Sequence, residues 1–127
     1  MKKGLVTLMV LGLAALLMGG CAAKDEKVSH GDIKGKTITI ATGDFYEACD
    51  KWTPGDKVNI SFKSSKPVGF DVHYHEKHQK TYAVEQTLAD MYAGSIIVQS
   101  DETYCCMWKN DNPKYVTLTF DMNIEKQ

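Results

Sequence analysis

From Lys36 onward, apolar and polar side chains alternate with a period of two. "KTITIAT" (Lys36–Thr42) opens the pattern, and "DFYEACDKW" follows it. "KVNISFKS" puts Val58, Ile60 and Phe62 on one side of an extended chain. After the interruption "SSKP", "VGFDVHYH" does the same with Val68, Phe70, Val72 and Tyr74. "KTYAVEQ", "GSIIVQS", "ETYCCMWK" and "KYVTLTFDM" continue the series, separated by turn signals such as "TPGD" and "NDNP". Alternation of this kind marks strands with one buried face. Seven to eight short strands in about 95 residues predict an all-β domain, an antiparallel β-sandwich. One segment departs from the pattern. In "VEQTLADMYA" the residues Val84, Leu88 and Met91 recur at helical spacing, so a short helix or a loop is expected there.

The strand phase assigns faces to an unusual cluster. Three of the chain's four histidines, His73, His75 and His78, fall within six residues. If Phe70, Val72 and Tyr74 face the core, then Asp71, His73 and His75 face away from it, toward solvent. His78 falls in the turn expected at "EKHQ". His73 and His75 would then stand about 6.5–7 Å apart at Cα, a common start for a zinc or copper site. Asp71 shares that face, and Glu76 or His78 could fold back. Cys105, Cys106 and Met107 would add sulfur ligands suited to Cu(I) if their strand lies alongside. The plainer reading is a solvated strand face.

"YCCMW" reads first as a central strand. Tyr104, Cys106 and Trp108 share one face, Cys105 and Met107 the other, and both faces are apolar. Adjacent cysteines lack the spacing of thiol–disulfide enzymes. No nucleophile elbow or glycine-rich phosphate loop accompanies them. Phe45, Tyr46 and Trp52 near "TPGD" read as core and rim of the sandwich.

The N-terminus changes the setting. Lys2 and Lys3 precede an apolar run from Leu5 to Met18, then Gly19, Gly20 and Cys21. This is the layout of an export signal, with an apolar run short of the roughly 20 residues that span a bilayer. "LLMGGC" resembles a bacterial lipobox, in which the cysteine is lipidated and becomes the mature N-terminus. Met18 stands where that pattern usually has leucine. On this reading residues 1–20 are a lipoprotein signal peptide and residues 21–33 a lipidated tether; the alternative is an ordinary signal peptide cut near Ala22 or Ala23, or a retained anchor. Residues 34–127 are the domain. Acyl chains on Cys21 would hold the protein on a membrane, at about 0.8 kcal/mol per buried CH₂. Ala22 after the cysteine implies the outer membrane under the sorting pattern of enteric bacteria. Loss of the signal's two lysines takes the net charge from −1 to −3. No basic patch suggests nucleic acid.

An exported chain can form disulfides. With Cys21 set aside for lipid, Cys49, Cys105 and Cys106 remain, an odd number. Neighbouring cysteines bond poorly to each other, so Cys49 is expected to pair with Cys105 or Cys106.

"DFYEACDKWTPGDKVNISFKSSKPVGFDVHYH" and "ETYCCMWKNDNPKYVTLTFDM" together resemble the GOLD (Golgi dynamics) domain, closest to its bacterial relatives. The resemblance covers roughly residues 36–124. It rests on Cys49 after Glu47, Gly55 in a turn, Phe70-Asp71-Val72, Tyr104-Cys105 with Asn110, and Val116–Phe120. It implies a β-sandwich stapled by an early and a late cysteine, and binding to proteins or lipids rather than catalysis. The position of the receptor-type cysteine is Met107 here. Cys105, two residues earlier with the same strand parity, is the partner the resemblance favours, with Cys106 the alternative. The receptors carry a coiled coil and a membrane helix after the domain. This sequence ends at Gln127 with neither, so their trafficking role does not transfer. The expectation is a lipid-anchored, non-catalytic binding module for a protein or envelope ligand, with no required cofactor. The alternative is an envelope copper or zinc protein using the His-x-His strand.

Overall fold

The computed structural model describes residues 31–127. The signal, the lipobox with Cys21 and most of the tether lie outside the described residues. Within them the chain forms six strands, all antiparallel to their neighbours, and no helix. They are β1 (Ile33–Ile40), β2 (Phe45–Lys51), β3 (Lys57–Glu76), β4 (Gln79–Ile97), β5 (Thr103–Lys109) and β6 (Val116–Glu125). They run in the order β1-β6-β3-β5-β2, with β4 on the other edge of β3. The result is a single sheet curled into a half-barrel.

Six elements replace the seven to eight expected runs because two pairs of runs fuse. "KVNISFKS" and "VGFDVHYH" are one 20-residue strand, and β4 merges the next two runs across the segment expected to be helix or loop. The "SSKP" interruption is real but does not end β3. Between Lys63 and Val68 five steps of β3 match two of β4, a wide bulge around Pro67. Proline cannot donate a ladder hydrogen bond, so it belongs at such a break. Here β3 changes neighbour. Val58 to Ser64 pair with β6, whereas Gly69 to Tyr74 pair with β5.

The helical spacing in β4 has a related origin. Register breaks on either side of Val72 each give β4 one extra residue, and the Lys63–Val68 bulge gives β3 three, so the side-chain parity of β4 switches at each break. The residues that lean on the core are therefore Val84, Ala89, Tyr92 and Ile96, at intervals of three to five. Irregular strand pairing mimics a helical period. Leu88 and Met91, two members of the apparent helix face, are 74% and 64% exposed.

The alternating faces of β3, β5 and β6 meet inside the curl. Val58, Ile60, Phe62, Val68, Phe70 and Val72 from β3 are buried with Tyr104, Cys106 and Trp108 from β5. Val116, Leu118, Phe120 and Met122 from β6 complete the core. Trp108 sits between Phe120 and Phe70, with ring centroids at 4.6 and 5.7 Å, and meets Phe62 edge-on. Trp52 stacks on Tyr104 at 5.1 Å, and Tyr74 lies 4.7 Å from Tyr104. Of the three aromatics near "TPGD", Trp52 belongs to the core, Tyr46 is half-buried and Phe45 is exposed.

Polar residues close the ends. In "TPGD", Gly55 takes φ 93° and Asp56 N donates to Thr53 O, as a type II turn with proline second and glycine third requires. Asp56 receives Lys126, which with backbone donors holds its carboxyl below the usual range despite partial desolvation. Asp32 accepts from Ile124 N and Asn123 Nδ2, so the last residues assigned to the tether are already tied to the domain.

Asn110, fully buried, works hardest. Its side-chain amide donates to Ile40 O and Lys114 O, and its Oδ1 accepts from Asn112 N and Nδ2. Asn110→Ala removes four bonds and takes the side-chain donor from the buried Ile40 carbonyl. It should lower the unfolding free energy by about 3 kcal/mol, measured by urea denaturation. A loss below about 1 kcal/mol would mean that water replaces the amide.

Candidate functional site

On the face of the sheet turned away from the core, three neighbouring strands align a block of six residues. One row across β2, β5 and β3 reads Glu47, Met107, Asp71. The next reads Cys49, Cys105, His73, and continues to Tyr82 on β4. All six are residue types that bind metals. They come together because each strand alternates and the three are in register.

Cys49 and Cys105 form a disulfide, one of the two pairings the sequence left open. Cys106 is a free thiol in the core, where burial, and secondarily Asp71, push its pKa far up. A thiol so placed is a small core side chain rather than a nucleophile.

The expectation of a solvated histidine face needs correction. Asp71 and His73 do point away from the core, yet they are only 1% and 2% exposed. Their stretch of β3 lies between β5 and β4, and neighbouring side chains close over it. Gln86 of β4 and Lys109 of β5, for example, pack near Gly69. His73 Nδ1 lies 2.6 Å from Asp71 Oδ1. Its Nε2 faces Glu47 Oε1 at 3.6 Å. Lys80 Nζ comes within 3.8 Å of Asp71 Oδ2, an atom with no hydrogen-bond partner among the described residues. A buried carboxylate on Nδ1 fixes both the ring and the nitrogen left for other partners.

His75 stays exposed, its ring 5.4 Å from that of His73 and edge-on to it. His78 sits in the two-residue β3–β4 turn with Lys77, both at positive φ. Among the described residues, the group whose ligand atoms all lie within 4.8 Å of one another is Glu47, Cys49 and Cys105. The three histidines do not form such a group. The sequence reading passed over Glu47 as a site residue. Its signal was there, since Glu47 and Cys49 are two apart on one strand and so share a face.

A second surface feature lies on β4. Among the described residues β4 pairs only with β3, so its outer edge is open along 19 residues. Four of the six large exposed apolar side chains among the described residues belong to it: Tyr82, Leu88, Met91 and Ile97, with exposures of 37 to 74%.

No family model matches the chain, and no curated protein matches it. Among solved structures, a de novo designed double-stranded β-helix determined by solution NMR is similar to it, at 15% identity and a TM-score of 0.40. That likeness covers 73% of this chain and all of the designed one, and is too slight to bear on fold or function.

Proposed function

We propose that the protein is a lipid-anchored module of a bacterial envelope, a GOLD-like β-sandwich in the broad sense, that binds an envelope protein and catalyses nothing. The signal-like N-terminus and Cys21 support the anchor. The two arms of the curled sheet, meeting through Phe62, Trp108 and Phe120, support the sandwich reading.

One observation carries the binding role: the long open edge of β4 with its exposed apolar side chains. An unpaired edge offers a row of backbone donors and acceptors to an extended segment of another chain. Proteins that avoid such pairing blunt their edges with charge or proline. β4 has no proline, its charged residues are Lys80, Glu85 and Asp90, and its centre carries the exposed Leu88 and Met91. The occupant proposed is therefore an extended, partly apolar segment of a partner protein.

Photoreactive amino acids placed at Leu88 and at Ile97 in producing cells test this. Each should give an adduct with another envelope protein, and a probe at exposed Thr119 should not. Leu88→Asp with Met91→Asp should lower the Ile97 adduct about tenfold. Equal yields at Thr119, no adducts, or adducts only between copies of the chain would overturn the reading. The metal alternative draws support from one arrangement, the block around Glu47.

A further inference from the structure

We propose that the Glu47–Cys49–Cys105–His73 corner of the outer face is a zinc site opened by reduction of the disulfide. It goes beyond the binding role of β4 and does not depend on it.

The first support is proximity. Glu47, Cys49 and Cys105 already bring their ligand atoms within 4.8 Å of one another, all three half-buried. The second is the neighbouring histidine. His73 is the cross-strand partner of Cys105, and its Nε2 lies 3.6 Å from Glu47 Oε1. Ligands held at about 2.0 Å in a tetrahedral zinc site stand about 3.3 Å apart, so oxygen and nitrogen are nearly at ligand separation. The third is the buried orienting group. Asp71 occupies Nδ1 and leaves Nε2 facing Glu47, at the margin of the Glu47–Cys49–Cys105 group, in the carboxylate–histidine arrangement that supports metal ligands. Two thiolates, one imidazole and one carboxylate match zinc better than Cu(I), for which the carboxylate is too hard a ligand.

While the sulfurs are bonded to each other, neither offers a thiolate. A dithiol reductant changes that. It passes two electrons and two protons to Cys49–Cys105, the S–S bond breaks, two thiols form, and the dithiol becomes a disulfide. Zinc then displaces the two thiol protons and takes lone pairs from Glu47 and His73 Nε2. Two thiolates and a carboxylate bring the bound site to a net −1. The fold holds β2 against β5 by a full ladder of seven paired residues, so the strands stay in register when the sulfurs part. His75 lies outside this ligand set, although its ring adjoins His73.

The test uses the chain as its producing cell processes it, purified in mild detergent and titrated with Co(II) and then Zn(II). A phosphine serves as reductant; with one water it becomes a phosphine oxide and yields both thiols without adding a competing one. The reduced protein should bind one cobalt per chain with a thiolate-to-cobalt charge-transfer band that zinc abolishes. The oxidised protein should show no band. Glu47→Gln and His73→Gln should each weaken binding about tenfold or more, and His75→Ala should leave it unchanged. If His73→Gln fails to fold, Glu47→Gln, at a half-exposed position, still decides. A reduced protein without the band would overturn the proposal. So would equal binding when oxidised, insensitivity to Glu47→Gln, or a band that survives Cys49→Ser with Cys105→Ser.

Discussion

Trp108→Ala should lower the unfolding free energy by about 4 kcal/mol, the upper part of the range for emptying a large buried aromatic site. The indole, carried by β5, fills the middle of the curl where β3, β5 and β6 converge, and it touches rings from β3 and β6. The hydrogen-bonded strands of the curled sheet around it limit how far the cavity can collapse. Trp108→Phe makes the informative contrast. The indole Nε1 is buried without a hydrogen-bond partner among the described residues. Phenylalanine deletes that unpaired donor along with part of the ring volume, so the two effects oppose each other. A loss of about 1–2 kcal/mol is expected. Denaturant titrations should show the midpoint fall in both variants with the slope unchanged. If the alanine variant loses less than about 1.5 kcal/mol, the three strands do not depend on this contact as described.

Replacing both bridged cysteines by alanine should cost about 4 kcal/mol in the chain-entropy account, because the bond closes a loop with a separation of 56 residues. Single domains are stable by only about 5–15 kcal/mol in total, so the variant would sit near its unfolding threshold. The melting temperature should drop by roughly 20 °C for a domain of this size. The bond also fixes β2, an edge strand paired among the described residues only to β5. Hydrogen exchange should therefore rise first at Phe45–Lys51, with β3 and β5 protected until global unfolding. Uniform loss of protection would show that β2 is not the weakest element. Both experiments bear on the zinc proposal as well. Zinc added to the reduced wild-type protein should recover part of the lost stability, and the double alanine variant should gain nothing.

Much of this fold was legible because alternation survives tertiary packing. The inward phase of Phe70, Val72 and Tyr74, and of Tyr104, Cys106 and Trp108, follows from counting by two. So does the central position of β5, which both apolar faces of "YCCMW" required. What alternation could not carry was continuity. Nothing local says that a chain broken at Pro67 resumes in the same strand with a new neighbour, since the long-range pairing to β6 and then β5 decides it. The misreading of Val84–Ala93 has the same root. Its bulges exist only relative to β3, and they impose a spacing that resembles a helix.

The candidate site was half legible for a related reason. Strand phase correctly turned Asp71 and His73 away from the core, but facing away from a core is not facing water. Burial there comes from β4 and β5 closing over the strand. The pairing of Cys49 rested on family likeness and parity. Glu47 needed the register of two further strands before it became a neighbour of His73.

The placement of β1 carries a consequence for how the protein is made. β1 is the first strand of the described residues, yet its ladder partner there is β6, the last one. The first half of β3 needs β6 too, and the hairpin of β3 and β4 is the one large unit that can form from neighbouring sequence. A chain exported and lipid-anchored as proposed would thus have its beginning fixed while half its sheet waits for its end. Long-range closure of this kind is slow. Until Val116–Glu125 emerges, β1 and one edge of β3 remain open, and a factor that shields unpaired strands would act in that interval.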